Sequence, residues 1–188
     1  RTILVYRGAT SDLETSTLSL DDVTARWVYI VPGAIDFDVI MALITKFKAA
    51  GAKIAMNPSS HYLAFGLERL RPMLAELDVV TMNRDEAALL TGESIEDETA
   101  IFKKFDELVG GIAVMTDGPK GSVVGYKDII LRAGIFKEEV MVDRTGAGDA
   151  FGSGFVAGVM NAADVSEDAL REGIRLGSAN STSVVEHI

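Results

Sequence analysis

The sequence predicts an α/β domain built on a largely parallel sheet, and three observations carry that prediction. Short β-rich runs alternate with segments of helical periodicity along the chain. Three polar sequences, Asn83–Glu86, Thr116–Gly121 and Asp143–Asp149, each follow such a run, at the carboxyl ends where these sheets bind ligands. The 188 residues, 48% of them hydrophobic, suffice to bury one core, so a single domain over residues 1–188 is expected.

Taken in order, Thr2–Tyr6 reads as a strand, followed by Gly8 and a Ser/Thr-rich loop. Trp27–Val31 is a second strand closed by Pro32-Gly33, with Trp27 expected in the core. Phe37–Ala50 has helical periodicity, Asp36 as a cap and Gly51 just past its end. Lys53–Met56 is a short strand that meets the Asn57-Pro58 turn. Leu63–Leu74 reads as a helix interrupted near Pro72, which removes a backbone donor. Asp78–Met82 is a strand, Asn83–Leu90 a short helix stopped by Gly92, and Asp97–Val109 a further helix. Gly111–Met115 leads as a strand into the loop Thr116–Gly121, and Ser122–Tyr126 with Ile129–Arg132 forms a hairpin around Lys127-Asp128. Val140–Val142 reads as a short strand ending at Asp143. The turn Gly146–Gly148 then opens a helix of small apolar residues, and Glu167–Val185 is the last helix.

Composition narrows the function. A net charge of −10 argues against broad nucleic-acid binding. No apolar run approaches the roughly 18 residues that span a bilayer, and no basic-then-apolar leader opens the chain. Neither membrane nor nucleic acid is therefore expected as a partner, and a cytoplasmic setting is. The absence of cysteine excludes disulfides and thiolate metal sites. The histidines, His61 and His187, are isolated, which leaves a histidine metal site or a Ser/His/Asp triad without support. The chain begins at Arg1 and stops at Ile188 inside a helical pattern, so it is read as part of a longer protein.

Chemistry concentrates in the three polar sequences. Thr145-Gly146-Ala147-Gly148-Asp149 places glycines and a carboxylate at a helix mouth, where unpaired N–H groups and the macrodipole favour anions. That suits an anion hole for a moving phosphoryl group with Asp149 as base; the alternative is a tight turn with Asp149 as N-cap. Asn83-Arg84-Asp85-Glu86 has capping-box spacing, and its amide and carboxylate also suit a hydrated Mg²⁺ and phosphates. Thr116–Gly121 is either a nucleotide-contacting loop, through Thr116, Gly118, Lys120 and Gly121, or an ordinary turn. No GxxxxGK[ST] occurs. The Gly152–Gly158 run follows no strand directly and lacks the downstream strand-end acid of a dinucleotide site, so its glycines are read as letting the helix pack closely against the sheet.

Asp143-Arg144-Thr145-Gly146-Ala147-Gly148-Asp149-Ala150-Phe151 resembles the second signature of the PfkB (ribokinase-like) carbohydrate kinases. Asn83-Arg84-Asp85-Glu86 is similar to that family's Asn-x-x-Glu motif, Thr116-Asp117-Gly118 with Lys120-Gly121 to its nucleotide loop, and Asn57-Pro58 to a loop before Asn-x-x-Glu. Ala179-Asn180-Ser181 resembles the helix bordering the adenine. Arg144 stands where the family often has Thr, which points to an outward side chain.

The resemblance implies a three-layer α/β/α sandwich truncated on its amino-terminal side, without the β lid and most acceptor-gripping residues. It implies Mg·ATP as donor and a hydroxyl of a sugar or similar small molecule as acceptor. Asp149 would take the acceptor's proton, and N–H groups of Gly146, Ala147, Gly148 and Asp149 would stabilise the moving phosphoryl group. Glu86, through water, and Asn83 would hold Mg²⁺ and phosphates, while Thr116, Gly118, Gly121 and Asn180 would contact the nucleotide. Asp143 and the Thr145 carbonyl would contribute to a monovalent-cation site, with K⁺ the candidate ion. A homodimer is a further expectation for the intact protein. The alternatives are a nucleoside kinase of the same family and a non-catalytic fragment that binds nucleotide or a partner protein.

Overall fold

The computed structural model describes residues 23–187, so the strand expected at Thr2–Tyr6 lies outside the described residues. The elements run β1 (Trp27–Ile30), α1 (Phe37–Ala49), β2 (Lys53–Met56), α2 (Ser60–Leu63), α3 (Leu67–Glu76), β3 (Val79–Asn83) and α4 (Arg84–Thr91). They continue with α5 (Glu98–Leu108), β4 (Ile112–Thr116), β5 (Ser122–Tyr126), β6 (Ile129–Ala133), α6 (Ala147–Val159) and α7 (Glu167–His187). The strands form one sheet in the order β1-β2-β3-β4-β5-β6. Strands β1 to β4 are parallel, and the hairpin β5–β6 is added antiparallel.

The layers follow from strand alternation. In β3, Val80 and Met82 point into one core with Ile40 and Ile44 of α1, Leu70 of α3 and Phe105 of α5. Val79, one residue out of phase, points into the opposite core with Phe151 and Phe155 of α6 and Leu170 and Ile174 of α7. Period-two side chains thus send the crossover helices to one face and α6–α7 to the other. Fully buried Phe105 and Phe155 anchor the two cores, each burial contributing about 1.5–3 kcal/mol. Caps set the helix starts: Asp36 accepts from the Asp38 N–H at 2.8 Å, as expected, and Asp97, read from the sequence as the first helical residue, proves to be the cap of α5 and accepts from the Ala100 N–H at 2.9 Å. Among the described residues no helix is long and apolar enough to cross a membrane.

Four expectations need correction. The helix expected over Leu63–Leu74 breaks between α2 and α3, before Leu67, while Pro72 sits inside α3. Pro72 and Glu68 are both exposed, so the carbonyl that Pro72 leaves unpaired faces water. Trp27 is only partly buried, because β1 is an edge of the described sheet; the Lys53 ammonium lies 5.4 Å from its ring centroid. Val140–Val142 is not a strand, and all three side chains are exposed. The last carbonyls of a helix lack intrahelical donors, and here the Val142 N–H reaches the Val185 oxygen of α7 at 3.0 Å. The Glu139 N–H reaches the Glu186 carboxylate at 2.7 Å, so this segment runs along the end of α7 rather than joining the sheet. The polar sequence Asp143–Asp149 therefore follows a loop, not a strand. Finally, of the α6 glycines only Gly152 meets a sheet side chain, whereas Gly154 and Gly158 lie against α7.

Candidate active site

Parallel pairing of β1 to β4 brings Val31, Asn57, Asn83 and Thr116 to one edge of the sheet, and the amino-terminal end of α6 lies over that edge. The loop before α6 winds around one carboxylate oxygen. Asp143 Oδ1 accepts from the Arg144 N–H at 2.6 Å, the Thr145 N–H at 3.0 Å and the Thr145 hydroxyl at 3.0 Å. Gly146 then turns the chain into the helix at φ +80°, a conformation that a Cβ disfavours. As N-cap it offers no side chain to occupy the first-turn N–H groups. Asp149 is the third helical residue, not the cap, so the N-cap alternative for it is overturned.

A cleft of about 310 Å³ opens at this edge, and its lining includes Asn57, Thr81, Asn83, Glu86, Gly148 and Asp149. The capping box of α4 is complete: Asn83 Oδ1 accepts from the Glu86 N–H at 2.8 Å, and Glu86 Oε2 from the Asn83 N–H at 3.0 Å. The capping reading thus holds, and both side chains still line the cleft. Burial pushes the Glu86 carboxyl above the usual carboxylate range, and the charges of Asp149 and Asp85 add to that shift, against the opposing Asn83 N–H bond. Two carboxylates therefore feel one another across the cleft.

A second depression, of about 100 Å³, lies between the loop after β4 and helix α7, against Gly118, Gly121, Ile135, Gly148, Ser181 and Thr182. A further hollow of about 80 Å³ adjoins it at Gly118, Ala147 and Thr182. Thr116 and Gly148 line both cleft and groove, so the two spaces meet at the mouth of α6. Asn180 is placed differently: its amide donates to the Ala150 carbonyl at 2.8 Å and ties α7 to α6, leaving Ser181 and Thr182 on the groove wall. Among the described residues there is no group of three or more His, Cys, Asp or Glu suited to a metal ion.

Arg84, unassigned from the sequence, connects two of the polar sequences. Its guanidinium donates to Asp117 Oδ2 at 2.8 Å and to the Ile95 carbonyl at 2.6 Å, and lies 3.9 Å from Glu98. Its side chain is only 13% exposed. Such a link fixes the loop after β4 to the start of α4, so Arg84→Ala is expected to cost about 1–3 kcal/mol through loss of the charge-assisted bonds to Asp117 and to the Ile95 carbonyl. A drop in melting temperature of several degrees, followed by circular dichroism, checks this. Thr81 and the serines Ser59 and Ser60 also line the cleft and were not singled out from the sequence. The signal for Thr81 was a hydroxyl in an otherwise apolar strand.

The chain is similar to known carbohydrate kinases in sequence and in fold. The description "pfkB family carbohydrate kinase" matches residues 1–187. The chain is 27% identical over 151 residues to the ATP-dependent 6-phosphofructokinase of Thermoanaerobacterium thermosaccharolyticum, covering 78% of this chain and 44% of that protein. It is 30% identical over 137 residues to the ribokinase of Haemophilus influenzae, covering 70% and 40%. The chain thus spans about half the length, or somewhat less, of the curated relatives it matches. Its fold is similar to that of fructokinase from Vibrio cholerae O395, solved with fructose, ADP and calcium ion bound. That match has a TM-score of 0.74 at 21% identity, over 90% of this chain and 59% of that one.

Proposed function

The chain belongs to the pfkB family of carbohydrate kinases, and on that premise we propose that it transfers the γ-phosphoryl group of ATP to a hydroxyl of a sugar-like small molecule. The observation that carries this reading is the junction at Gly148. A groove beside the loop after β4 and a cleft holding two carboxylates meet there, at a helix N-terminus with no side-chain cap.

The roles follow from that junction. The nucleotide lies in the groove, against Thr116, Gly118 and Gly121, with its phosphates toward the first-turn N–H groups of α6. Asn180 acts there through the α6–α7 contact. The acceptor occupies the cleft. Its hydroxyl oxygen bonds to the γ-phosphorus as the bond from phosphorus to the ADP oxygen breaks, and its proton passes to Asp149. Backbone N–H groups of Gly146, Gly148 and Asp149 stabilise charge on the moving group, which demands positioning more than a strong base, while the Ala147 N–H reaches the Arg144 carbonyl at 3.3 Å. The donor set of Glu86 and Asn83 suits Mg²⁺, because a divalent cation relieves the mutual repulsion felt by Glu86 and Asp149. Held there through water, it would neutralise phosphate charge. A monovalent cation at Asp143 and the Thr145 carbonyl would brace the same turn that Asp143 Oδ1 organises.

The test is thermal unfolding of the protein expressed from its full reading frame, with Mg²⁺ and a non-hydrolysable ATP analogue against Mg²⁺ alone. At 100 times its dissociation constant the analogue adds about 2.7 kcal/mol, a shift of several degrees. A coupled assay for ADP release across sugars and polyols then identifies the acceptor. No shift and no release would overturn the reading.

A further inference from the structure

We infer that Tyr29 is a positioning residue for Asp149: its hydroxyl, seated in the hollow left by Gly152, sets how deeply the first turns of α6 rest on the sheet. The inference rests on the role given to Asp149 above and extends it to a residue of β1 that does not itself reach the reacting atoms.

The alternation of the strands builds the arrangement. On the face covered by α6, Tyr29 of β1 pairs in register with Ala55 of β2, and Ala55 with Val79 of β3. One step of two residues toward the carboxyl ends brings Asn57 and Thr81 onto the same face. The apolar floor under α6 therefore turns polar just below the cleft. Tyr29 Oη and Thr81 Oγ1 are both buried there; Thr81 Oγ1 has no hydrogen-bond partner among the described residues, and Tyr29 Oη feels the Asn57 amide, short of full hydrogen-bond geometry.

Above this floor lies Gly152, three residues after Asp149 and so on the same side of α6. A Cβ built on Gly152 would overlap Tyr29 Oη, with Cζ at 3.3 Å and the Thr81 methyl at 3.7 Å. Glycine is required at this point by the hydroxyl, and the hydroxyl sets the height of the helix. The Asp149 charge also acts on that hydroxyl. The Tyr29 hydroxyl is pushed up to about 12, by burial first and by the Asp149 charge second, while the Asn57 amide works the other way. It stays protonated at neutral pH, a neutral prop between the sheet and the turn that carries Asp149.

The size relation makes the test specific. In the protein from its full reading frame, Tyr29→Phe is expected to lower kcat by about 3- to 10-fold with the KM for ATP unchanged. Gly152→Ala is expected to lower kcat by about 10- to 100-fold, because displacing a reacting group by a fraction of an ångström is costly. Combining the two is expected to restore kcat to within about 3-fold of Tyr29→Phe alone, since Phe removes the atom the new methyl would strike. Asp149→Asn is measured alongside, and in that background Gly152→Ala should change the residual rate little. A Gly152→Ala protein that loses melting temperature but keeps its kcat would overturn the inference. So would a double variant no better than Gly152→Ala, which also decides the matter if the single variant fails to fold. If Asp149→Asn itself keeps full turnover, it is the role of Asp149 that fails, and the inference with it.

Discussion

Asp149→Asn in the protein from its full reading frame is expected to lower kcat by about 10²- to 10⁴-fold while leaving nucleotide binding nearly intact. The span is that of a positioned general base. Nucleotide binding survives because the groove is lined by Gly118, Gly121, Ile135, Ser181 and Thr182 and by the backbone at the start of α6, none of which the substitution touches. Stability should change little, because two effects oppose. A carboxylate in the first turn of α6 favours the helix by about 0.3–1 kcal/mol, and that is lost. The charge of Asp149 also disfavours ionised Glu86, and that repulsion disappears. The Glu86 pKa should fall toward the ordinary carboxylate range and stop short of it, since burial, the larger cause, remains. Steady-state kinetics with the analogue-induced melting shift separates the outcomes. Unchanged kcat would remove Asp149 from the base role, and joint loss of kcat and nucleotide binding would assign it a structural one.

The parts of this protein that were legible in the sequence are those fixed by neighbours close along the chain. Asp36 and Asn83 announce α1 and α4 because a cap and its N–H donors lie two or three residues apart. The short apolar runs in Lys53–Met56 and Asp78–Met82 likewise mark the central strands, and parallel pairing then gathers Asn83–Glu86 and Thr116–Gly121 at one edge. What was misread depended on distant partners. Val140–Val142 carries a strand-like composition, yet the carbonyl that takes its N–H belongs to Val185, more than forty residues on. Trp27 reads as core, but the outcome depends on whether another strand flanks β1. Pro72 drew attention as a helix breaker although its carbonyl partner, Glu68, lies on the wet side of α3. In the candidate site, Gly146 to Asp149 were legible because the glycine pattern is local. Tyr29 and Thr81 were not, since their meaning depends on which face α6 covers and on Gly152 lying above them.

The glycines of the α6 mouth allow binding and folding to be separated. A Cβ added at Gly148 meets nothing within 4 Å, whereas Gly146 sits at φ +80°. Gly146→Val would combine backbone strain with any loss of function. Gly148→Val should not, because its Cβ enters open space and valine is, if anything, a slightly better helix residue than glycine. The space it enters is the junction of cleft and groove. Gly148→Val is therefore expected to keep its stability within about 1 kcal/mol of the parent. The shift induced by Mg²⁺ and the ATP analogue should vanish, and kcat/KM should fall by at least about 100-fold, as when an anion-stabilising donor is removed. Denaturation with and without the analogue, together with kcat/KM, measures both halves. A stable Gly148→Val protein that still binds the analogue at parental affinity would place the phosphates away from α6. The donor would then lie wholly in the groove between the loop after β4 and α7. Loss of binding at unchanged stability is the result that a ligand at the helix mouth explains, since the added Cβ meets no protein atom within 4 Å.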